Sequence, residues 1–207
     1  MNKLKIYGSP NMAGHVLKEY FSSSADYVVD FKDENEIFDQ DYKVRDGLFN
    51  FDSDYIINCL RCLVEESEYD PLKAIMYNSY FPRLLEKKYF KTKTQIIHLS
   101  TDCVFSGSEG QYNEKSIPDG YTKYSRTKML GEIINDKDIT IRTSYIGPTL
   151  KKNEELFDWF LMQSGQVNGF TNAMWTGITS LELAKGIDQL IVAGFKGLYH
   201  MVPNKKI

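Results

Sequence analysis

The alternation of short apolar runs with helical patterns constrains the fold of this chain more than any other feature of its sequence. Strands are predicted at residues 4–7, 27–31, 55–60, 95–99, 139–142 and 197–200. The run 55–60 is apolar with little alternation, which is typical of a strand that is covered on both faces. Strands that alternate with helices predict an α/β fold, in which a doubly wound parallel sheet carries helices on both faces.

Amphipathic segments between and after these strands predict the helices. One helix is predicted to begin after Asn11. Four more are predicted over 71–88, 121–135, 154–163 and 181–193. Pro71 suits the first turn of the helix at 71–88, whereas Pro82 inside that helix predicts a kink. Residues 33–54 are acidic and show no clear periodicity, so no element is predicted there.

Composition places the chain among ordinary globular proteins. Of its 207 residues, 42% are hydrophobic and 26% are charged, and the formal net charge is −3. The length fits a single domain over 1–207. The near-neutral charge, without a long Lys/Arg run, argues against a nucleic-acid or membrane-surface partner. The polar start and the lack of any apolar stretch near ~18 residues argue against a signal peptide and a membrane span, so the cytoplasm is the expected location.

The turn after the first predicted strand carries Gly8, Asn11 and Gly14. Glycines at such a β-to-α turn let the backbone approach a pyrophosphate, which then lies at the N-terminus of the helix. Asn11 takes the place of a middle glycine. We expect it to keep the turn, because Asn tolerates positive φ better than other non-glycine residues. The same pattern also fits a plain β-to-α turn, so it does not predict a cofactor by itself.

A second motif places Tyr124 and Lys128 one helical turn apart in the helix predicted at 121–135. Residues at that spacing share a helix face, so the phenol and the ammonium group can point into one site. A nearby cation favours the phenolate and is expected to lower the pKa of Tyr124 from ~10, which suits carbonyl–alcohol chemistry. Thr101, just after a predicted strand, offers a hydroxyl for the substrate oxygen. A solvated helix face is the alternative interpretation.

Taken in order, these motifs resemble the extended short-chain dehydrogenase/reductases, and within them the dTDP-4-dehydrorhamnose reductase group. The resemblance is carried by residues 100–107, by Tyr124-x-x-x-Lys128 with Gly131-Glu132, and by the segments 58–59, 78–82, 142–148 and 197–200. It covers nearly the whole chain and implies a Rossmann-type fold. It also implies an NAD(P)H-dependent reduction, or epimerisation and reduction, of a nucleotide-linked 4-keto deoxysugar in surface polysaccharide synthesis.

The resemblance also implies a role for each site residue. Tyr124 is the acid, Lys128 binds the nicotinamide ribose and lowers the pKa of Tyr124, and Thr101 bonds the substrate carbonyl. The other cofactor-binding residues that it implies are Gly8, Asn11, Met12, Gly14, Asn58, Leu60, Ser100 and Ser144. The other substrate-binding residues are Val104, Phe105 and Trp175, with residues 146–176 on the substrate side.

The cofactor is expected to be NAD or NADP. Asp30, at the end of the second predicted strand, would accept a hydrogen bond from a ribose 2′-hydroxyl and so favours NAD. Lys32 would favour a 2′-phosphate. The expected partner is a nucleotide-sugar substrate, and a homodimer is compatible with the sequence.

Three departures from the family pattern leave other interpretations open. Asn11 replaces a glycine, Arg61 and Cys62 stand where small apolar residues are usual, and the chain stops at Ile207 where relatives commonly continue. We therefore expect a small, incomplete C-terminal substrate lobe. The alternatives to an enzyme are a dinucleotide-binding regulatory or scaffold protein of the same fold, and a fragment that binds nothing well alone.

A metal site is not expected. Cys59-x-x-Cys62 resembles half of a zinc site, but a structural zinc site takes four ligands. The remaining cysteine and the three histidines are scattered along the chain.

Overall fold

The structure is a computed structural model that describes residues 1–8, 10–150 and 155–203. Its strands are β1 Asn2–Tyr7, β2 Tyr27–Lys32, β3 Tyr55–Asn58, β4 Gln95–Leu99, β5 Ile139–Arg142, β6 Tyr145–Ile146, β7 Ile178–Thr179 and β8 Gly197–His200. Its α-helices are α1 Met12–Ser22, α2 Glu34–Ile37, α3 Val64–Tyr69, α4 Pro71–Ala74, α5 Phe81–Tyr89, α6 Lys123–Gly131, α7 Leu156–Leu161 and α8 Ser180–Val192. A π-helix at Ile75–Tyr80 joins α4 to α5, and a 3₁₀ turn spans Asp102–Val104.

The six predicted strands form one parallel sheet, which confirms the predicted fold class. The strand order is β2-β1-β3-β4-β5-β8, and every neighbouring pair is parallel. The chain moves outward from β1 to β2 and then returns to the other side of β1 to form β3. At such a switch point the connections leave in opposite directions, which opens a crevice at the carboxyl ends of the strands. The strands β6 and β7 pair in a separate small sheet.

Two hydrophobic cores cover the two faces of the sheet. The first core packs α1 and α8 against the sheet and includes Leu17. The second core includes Ile56 of the sheet and Phe81 of α5. Alternate residues of a strand face opposite sides, so β1 sends Ile6 to the first core and Tyr7 to the second. Full burial of each large apolar side chain stabilises the fold by roughly 1.5–3 kcal/mol.

The helix predicted at 71–88 is interrupted by a π-helix. Its first turn begins at Pro71, and Asp70 caps it by accepting a hydrogen bond from the Lys73 amide. The amide of Phe81 then bonds to the Met76 carbonyl, five residues back. This wider turn lies just before Pro82, whose ring nitrogen cannot donate a helical hydrogen bond. The predicted kink is therefore a π-helical insertion that precedes the proline.

Two further helices are shorter than predicted. Thr122 begins α6 by accepting a hydrogen bond from the Ser125 amide, and Glu132 ends it with a ψ of 123°. The helix α7 lies within the predicted 154–163, and residue 154 is outside the described residues. In the described ranges, the structure contains no helix with the length and apolar character of a membrane span.

The segment 33–54, for which no element was predicted, covers part of the second core. It forms α2, whose first turn is closed by a capping box between Asp33 and Glu36. Phe38 then pairs with Val44 in an isolated antiparallel bridge. Phe38 and Leu48 are buried, so this irregular segment is a packed part of the domain.

Candidate active site

The turn after β1 brings the backbones of β1 and β3 together at the switch point of the sheet. Gly8 has a φ of +98°, and a Cβ at this position would lie 2.4 Å from the amide nitrogen of Leu60. A side chain would be strained by the positive φ and would also collide with β3. Glycine is therefore required here for the local packing, whatever ligand the turn binds.

Asn11 differs from its prediction because it caps α1 and does not adopt a positive φ. Its φ is −61°, and its Oδ1 accepts a hydrogen bond from the Gly14 amide at 2.8 Å. Its Nδ2 donates to the Cys59 carbonyl at 2.7 Å, which ties α1 to the end of β3. The cap side chain accepts from one of the three backbone amides at the start of α1, that of Gly14. The amides of Met12 and Ala13 are the other two donors of this first turn.

Asn58 and Leu60 lie at the end of β3, but their side chains point into the protein. Asn58 is buried, and its Nδ2 lies 3.1 Å from Nδ1 of His98. Leu60 belongs to the second core. A ligand at this edge can therefore reach only the backbone of these two residues, whereas the side chain between them, Cys59, faces the other side of the sheet.

The expected position of Asp30 at the end of the second strand is wrong. The strand β2 continues to Lys32. Asp30 is in register with Lys5, and its carboxylate forms an ion pair with the Lys5 ammonium at 3.1 Å. Lys5 also donates to the Leu48 carbonyl at 2.9 Å. The end of β2 carries Lys32 instead, which pairs with Glu36 at 2.7 Å.

The helix α6 presents Tyr124 and Lys128 to the carboxyl end of β4. Both residues are buried, and Lys128 Nζ donates to the Leu99 carbonyl at 2.6 Å. The helix packs closely on the π-helix at Gly131, where a Cβ would lie 1.9 Å from the Asn78 carbonyl oxygen. The Tyr-x-x-x-Lys pair is therefore held by a tight helix–helix contact and does not lie on a solvated helix face.

A cavity of about 180 Å³ opens beyond the carboxyl ends of β3, β4 and β5, and we call it the tyrosine cavity. Five of the predicted site residues line it, namely Ser100, Thr101, Tyr124, Lys128 and Ser144. They come from three separate segments of the chain, which the parallel topology brings to one edge of the sheet. None of the described residues of the glycine turn after β1 contributes to this lining.

Burial dominates the electrostatics of the tyrosine cavity. Burial, with the neighbouring Cys103, raises the pKa of Tyr124, while Arg61 and a hydrogen bond with Thr101 act in the opposite direction. Burial and the charge of Arg61 lower the pKa of Lys128 to about 8. The expected lowering of the pKa of Tyr124 is therefore wrong for this structure, because the loss of solvation outweighs the effects of Arg61 and of the Thr101 hydrogen bond.

The sequence interpretation missed Arg61 and Glu155 as site residues. The Arg61 guanidinium forms an ion pair with the Glu155 carboxylate and lies 5.5 Å from the ring centroid of Tyr145. The two charged side chains are only 15% and 19% exposed, and both line the tyrosine cavity. The available signal was Arg61 itself, a charged residue directly after a buried strand.

The tyrosine cavity is connected to the segment predicted on the substrate side. Trp175 Nε1 donates to Ser144 Oγ at 2.8 Å. The Ser100 hydroxyl donates to Glu132 Oε1 at 2.7 Å and so is held within the protein. Ser144 thus links residues 146–176 to the cavity, while Ser100 is oriented by a buried carboxylate.

Phe105 and Val104 lie on the same short segment but face different surroundings. Phe105 lines a second cavity of about 790 Å³, which shares Asp102 and Cys103 with the tyrosine cavity. Val104 is 1% exposed. Its side chain is therefore not available to a substrate, because the 3₁₀ turn directs it into the protein.

Comparison with known proteins identifies the family. The family model described as the RmlD substrate binding domain matches residues 2–157. The chain belongs to this family. The match spans β1 to the first residues of α7, and it confirms the resemblance that the motifs around Thr101, Tyr124 and Lys128 indicated.

Two curated relatives cover most of the chain. The probable low-salt glycan biosynthesis reductase Agl14 of Haloferax volcanii is 27% identical over 177 residues, which are 80% of this chain and 59% of that protein. The dTDP-4-dehydrorhamnose reductase of Aggregatibacter actinomycetemcomitans is 28% identical over 155 residues, which are 70% of this chain and 52% of that protein. The chain therefore spans between about half and three fifths of the length of these relatives.

Solved structures of the same kind share the fold. A dTDP-4-dehydrorhamnose reductase from Clostridium acetobutylicum superposes with a TM-score of 0.83 at 20% identity, over 99% of this chain and 75% of that chain. The enzyme of the same name from Bacillus anthracis, in complex with NADP, gives a TM-score of 0.82 at 19% identity over the same shares of the two chains. These likenesses support a Rossmann-type sheet.

Proposed function

We propose that this chain forms the dinucleotide-binding part of a reductase that uses NAD(P)H to reduce the 4-keto group of a nucleotide-linked deoxysugar. The observation that carries the proposal is the convergence of Thr101, Tyr124 and Lys128 on one cavity at the carboxyl edge of a doubly wound sheet. The printed activities of the relatives, reductases of glycan biosynthesis and of dTDP-4-dehydrorhamnose, support the same reaction class.

The residues around the switch point fit a dinucleotide. Gly8 has no side chain to obstruct the turn, and the first turn of α1 offers the amides of Met12 and Ala13 to a negatively charged pyrophosphate. Lys128 would bind the nicotinamide ribose. When bound, the cofactor supplies a hydride to the carbonyl carbon of the sugar.

The position of Lys32 supports NADP over NAD. The argument for NAD depended on Asp30, which is engaged with Lys5. Lys32 occupies the end of β2, where its partly exposed ammonium pairs with Glu36. A ribose 2′-phosphate could replace that carboxylate as the partner of Lys32, since a cation at this position suits a 2′-phosphate and a carboxylate suits a 2′-hydroxyl. The Bacillus anthracis relative in complex with NADP agrees with this choice.

The residues of the tyrosine cavity perform the proton transfer in this proposal. The raised pKa of Tyr124 keeps its phenol protonated at neutral pH, which is the form needed to donate a proton to a developing alkoxide. Thr101 orients the substrate oxygen toward the phenol. Lys128, with a pKa of about 8, is largely protonated at pH 7 and stabilises the phenolate that remains. Arg61 is a second cation that acts on the same phenol.

The experiment that tests this function replaces Tyr124 by Phe. We expect Tyr124→Phe to lower kcat for NADPH-dependent reduction of dTDP-4-dehydrorhamnose by about 100-fold or more, because general acid catalysis is lost. The affinity for NADPH should stay within about twofold of wild type, since the ring remains in place. Tyr121→Phe, at an exposed tyrosine just before α6, is the matched control and should retain full activity. Unchanged kcat in Tyr124→Phe would refute the assigned role.

A non-catalytic dinucleotide-binding protein is the second candidate function. The Arg61–Glu155 ion pair favours it, because these two side chains take up space in the tyrosine cavity. This candidate predicts that the wild-type protein binds NADPH or NADH but gives no turnover with a nucleotide-linked 4-keto sugar. The assay of the wild-type protein therefore separates the two functions before any variant is made.

A further inference from the structure

The second cavity contains two polar side chains from neighbouring strands. Arg142 ends β5 and His200 ends β8, and their Cα atoms are paired in register. Both line the cavity of about 790 Å³, together with Phe105 and Tyr112. Because the strands are parallel and the residues are in register, the two side chains lie on the same face of the sheet, side by side.

Each of these side chains has one buried polar atom that the protein does not satisfy. Arg142 donates from Nε and Nη2 to the two oxygens of Glu132, at 2.7 and 2.8 Å. In the part of the chain that the structure describes, neither the remaining Arg142 Nη1 nor His200 Nε2 has a hydrogen-bond partner. Buried polar atoms are usually paired, because an unpaired one costs about 1–3 kcal/mol. The two unpaired atoms therefore indicate a ligand group.

The two atoms differ in hydrogen-bonding character. Arg142 Nη1 can only donate. Burial lowers the pKa of His200, so the imidazole is neutral at pH 7, and its ring also bonds to the backbone of Tyr112. With the ring proton directed at that backbone, Nε2 carries a lone pair and accepts. Two residues in register on neighbouring strands thus offer one donor and one acceptor, which one hydroxyl group can satisfy together.

Aromatic contacts hold the two side chains in place. The Arg142 guanidinium carbon lies 5.0 Å from the ring centroid of Phe105. The ring centroids of His200 and Phe105 are 5.7 Å apart. Tyr112 also stacks on Phe105, with ring centroids 4.3 Å apart. The donor and the acceptor are therefore fixed before a ligand arrives, which reduces the entropy cost of binding.

The charges of the site favour a neutral ligand group over an anion. The charge of Arg142 is matched by Glu132 through two hydrogen bonds. A second carboxylate, Glu114, accepts a hydrogen bond from the His200 amide at 2.9 Å. With a neutral imidazole, these groups give no excess positive charge. A phosphate or carboxylate would be repelled by the two carboxylates, whereas a hydroxyl would not.

We propose that the second cavity is a carbohydrate-binding subsite, in which Arg142 Nη1 donates to a sugar hydroxyl that in turn donates to His200 Nε2. The inference rests on the proposed function and deepens it. The second cavity shares Asp102 and Cys103 with the tyrosine cavity. A sugar whose keto carbon faces Tyr124 can therefore extend a non-reacting hydroxyl to Arg142 and His200.

The test compares the affinities of dTDP-glucose and of dTDP, which lacks the sugar, in wild type, His200→Phe and His200→Gln. His200→Phe keeps a ring against Phe105 but removes the acceptor, so the Kd for dTDP-glucose should rise about tenfold, the equivalent of one hydrogen bond. The Kd for dTDP should not change. His200→Gln should restore most of the affinity, because its amide oxygen can accept the hydroxyl proton.

NADPH binding in the same preparations separates the possible failures. If all three proteins bind NADPH and the Kd for dTDP-glucose is the same in wild type and His200→Phe, the carbohydrate subsite is wrong and the proposed reductase stands. The subsite is also overturned if wild type binds dTDP as tightly as dTDP-glucose. If wild type binds neither NADPH nor dTDP-glucose, the proposed function and the subsite both fail.

Discussion

Lys128 illustrates how burial sets the properties of single residues in this protein. Lys128 is buried, and its ammonium group donates a hydrogen bond to the Leu99 carbonyl. Its pKa is lowered to about 8. The sequence predicted correctly that Lys128 shares one site with Tyr124, because an i, i+4 spacing on a helix is a local property. The sequence could not predict the direction of the pKa shift of Tyr124, because that direction depends on how deeply tertiary packing buries the phenol.

The pKa of Lys128 predicts a pH-dependent contribution to stability. Lys128 has a pKa of about 8 in the folded state against the ordinary lysine value of 10.5, which we take for the unfolded chain. Between these values the unfolded chain holds a proton that the folded chain has released, so a rise in pH favours folding. The free energy of unfolding of wild type, relative to Lys128→Met, should therefore increase by about 3 kcal/mol between pH 7 and pH 10.5.

Urea unfolding of both proteins across this pH range measures the difference. Other titrating groups are common to both proteins and cancel in the comparison. A difference that does not change with pH would show that the pKa of Lys128 is not lowered by folding.

Arg61 and His200 are residues whose roles could not be predicted from the sequence. Arg61 joins the site through Glu155, which is 94 positions away. The role proposed for His200 depends on Arg142 on the neighbouring strand and on the ring contact with Phe105. Such partners are set by topology and side-chain packing, and neither leaves a periodic or spaced pattern in the chain.

At the scale of elements, the strands could be predicted and the helix ends could not. Buried parallel strands are short apolar runs, a signal that is present in the chain itself. The ends of α6 depend instead on the Thr122 cap and on the extended backbone of Glu132. The end of β2 depends on pairing with β1, which carries the strand on to Lys32, and this pairing is why the expected position of Asp30 was wrong.

The contact between the β1 turn and β3 predicts the outcome of a substitution at Gly8. Gly8→Ala combines a φ of +98° with a Cβ that would lie 2.4 Å from the Leu60 amide nitrogen. We expect it to lower the free energy of unfolding by about 3 kcal/mol or more, because a backbone atom cannot move aside cheaply. Urea unfolding measures this loss.

Gly107→Ala is the matched control for Gly8→Ala. Gly107 also has a positive φ, of +82°, but a Cβ there meets nothing within 4 Å. Only the conformational cost of about 1 kcal/mol should appear. Equal losses in the two variants would contradict the close contact between Gly8 and β3.

At the scale of the whole molecule, parallel topology assembles the candidate site. The segments that follow β3, β4 and β5 contribute Cys59, Thr101 and Ser144 to the tyrosine cavity, because all parallel strands end at the same edge. The sequence predicted this convergence from the alternation of strands and helices. It did not predict the size of the second cavity, because the lining combines Arg142 with residues from three distant segments, 102–112, 172–176 and 200–202.

The central claim is that Tyr124 and Lys128 face a nicotinamide dinucleotide bound at the switch point of the sheet. The most direct measurement is a fluorescence titration of the wild-type protein and of Lys128→Met with NADPH and with NADH. We predict saturable binding to wild type, tighter for NADPH, and an affinity lower by about tenfold in Lys128→Met, since a charge-assisted contact to the ribose is lost. An absence of saturable binding by either dinucleotide, or equal affinities in wild type and Lys128→Met, would contradict the claim.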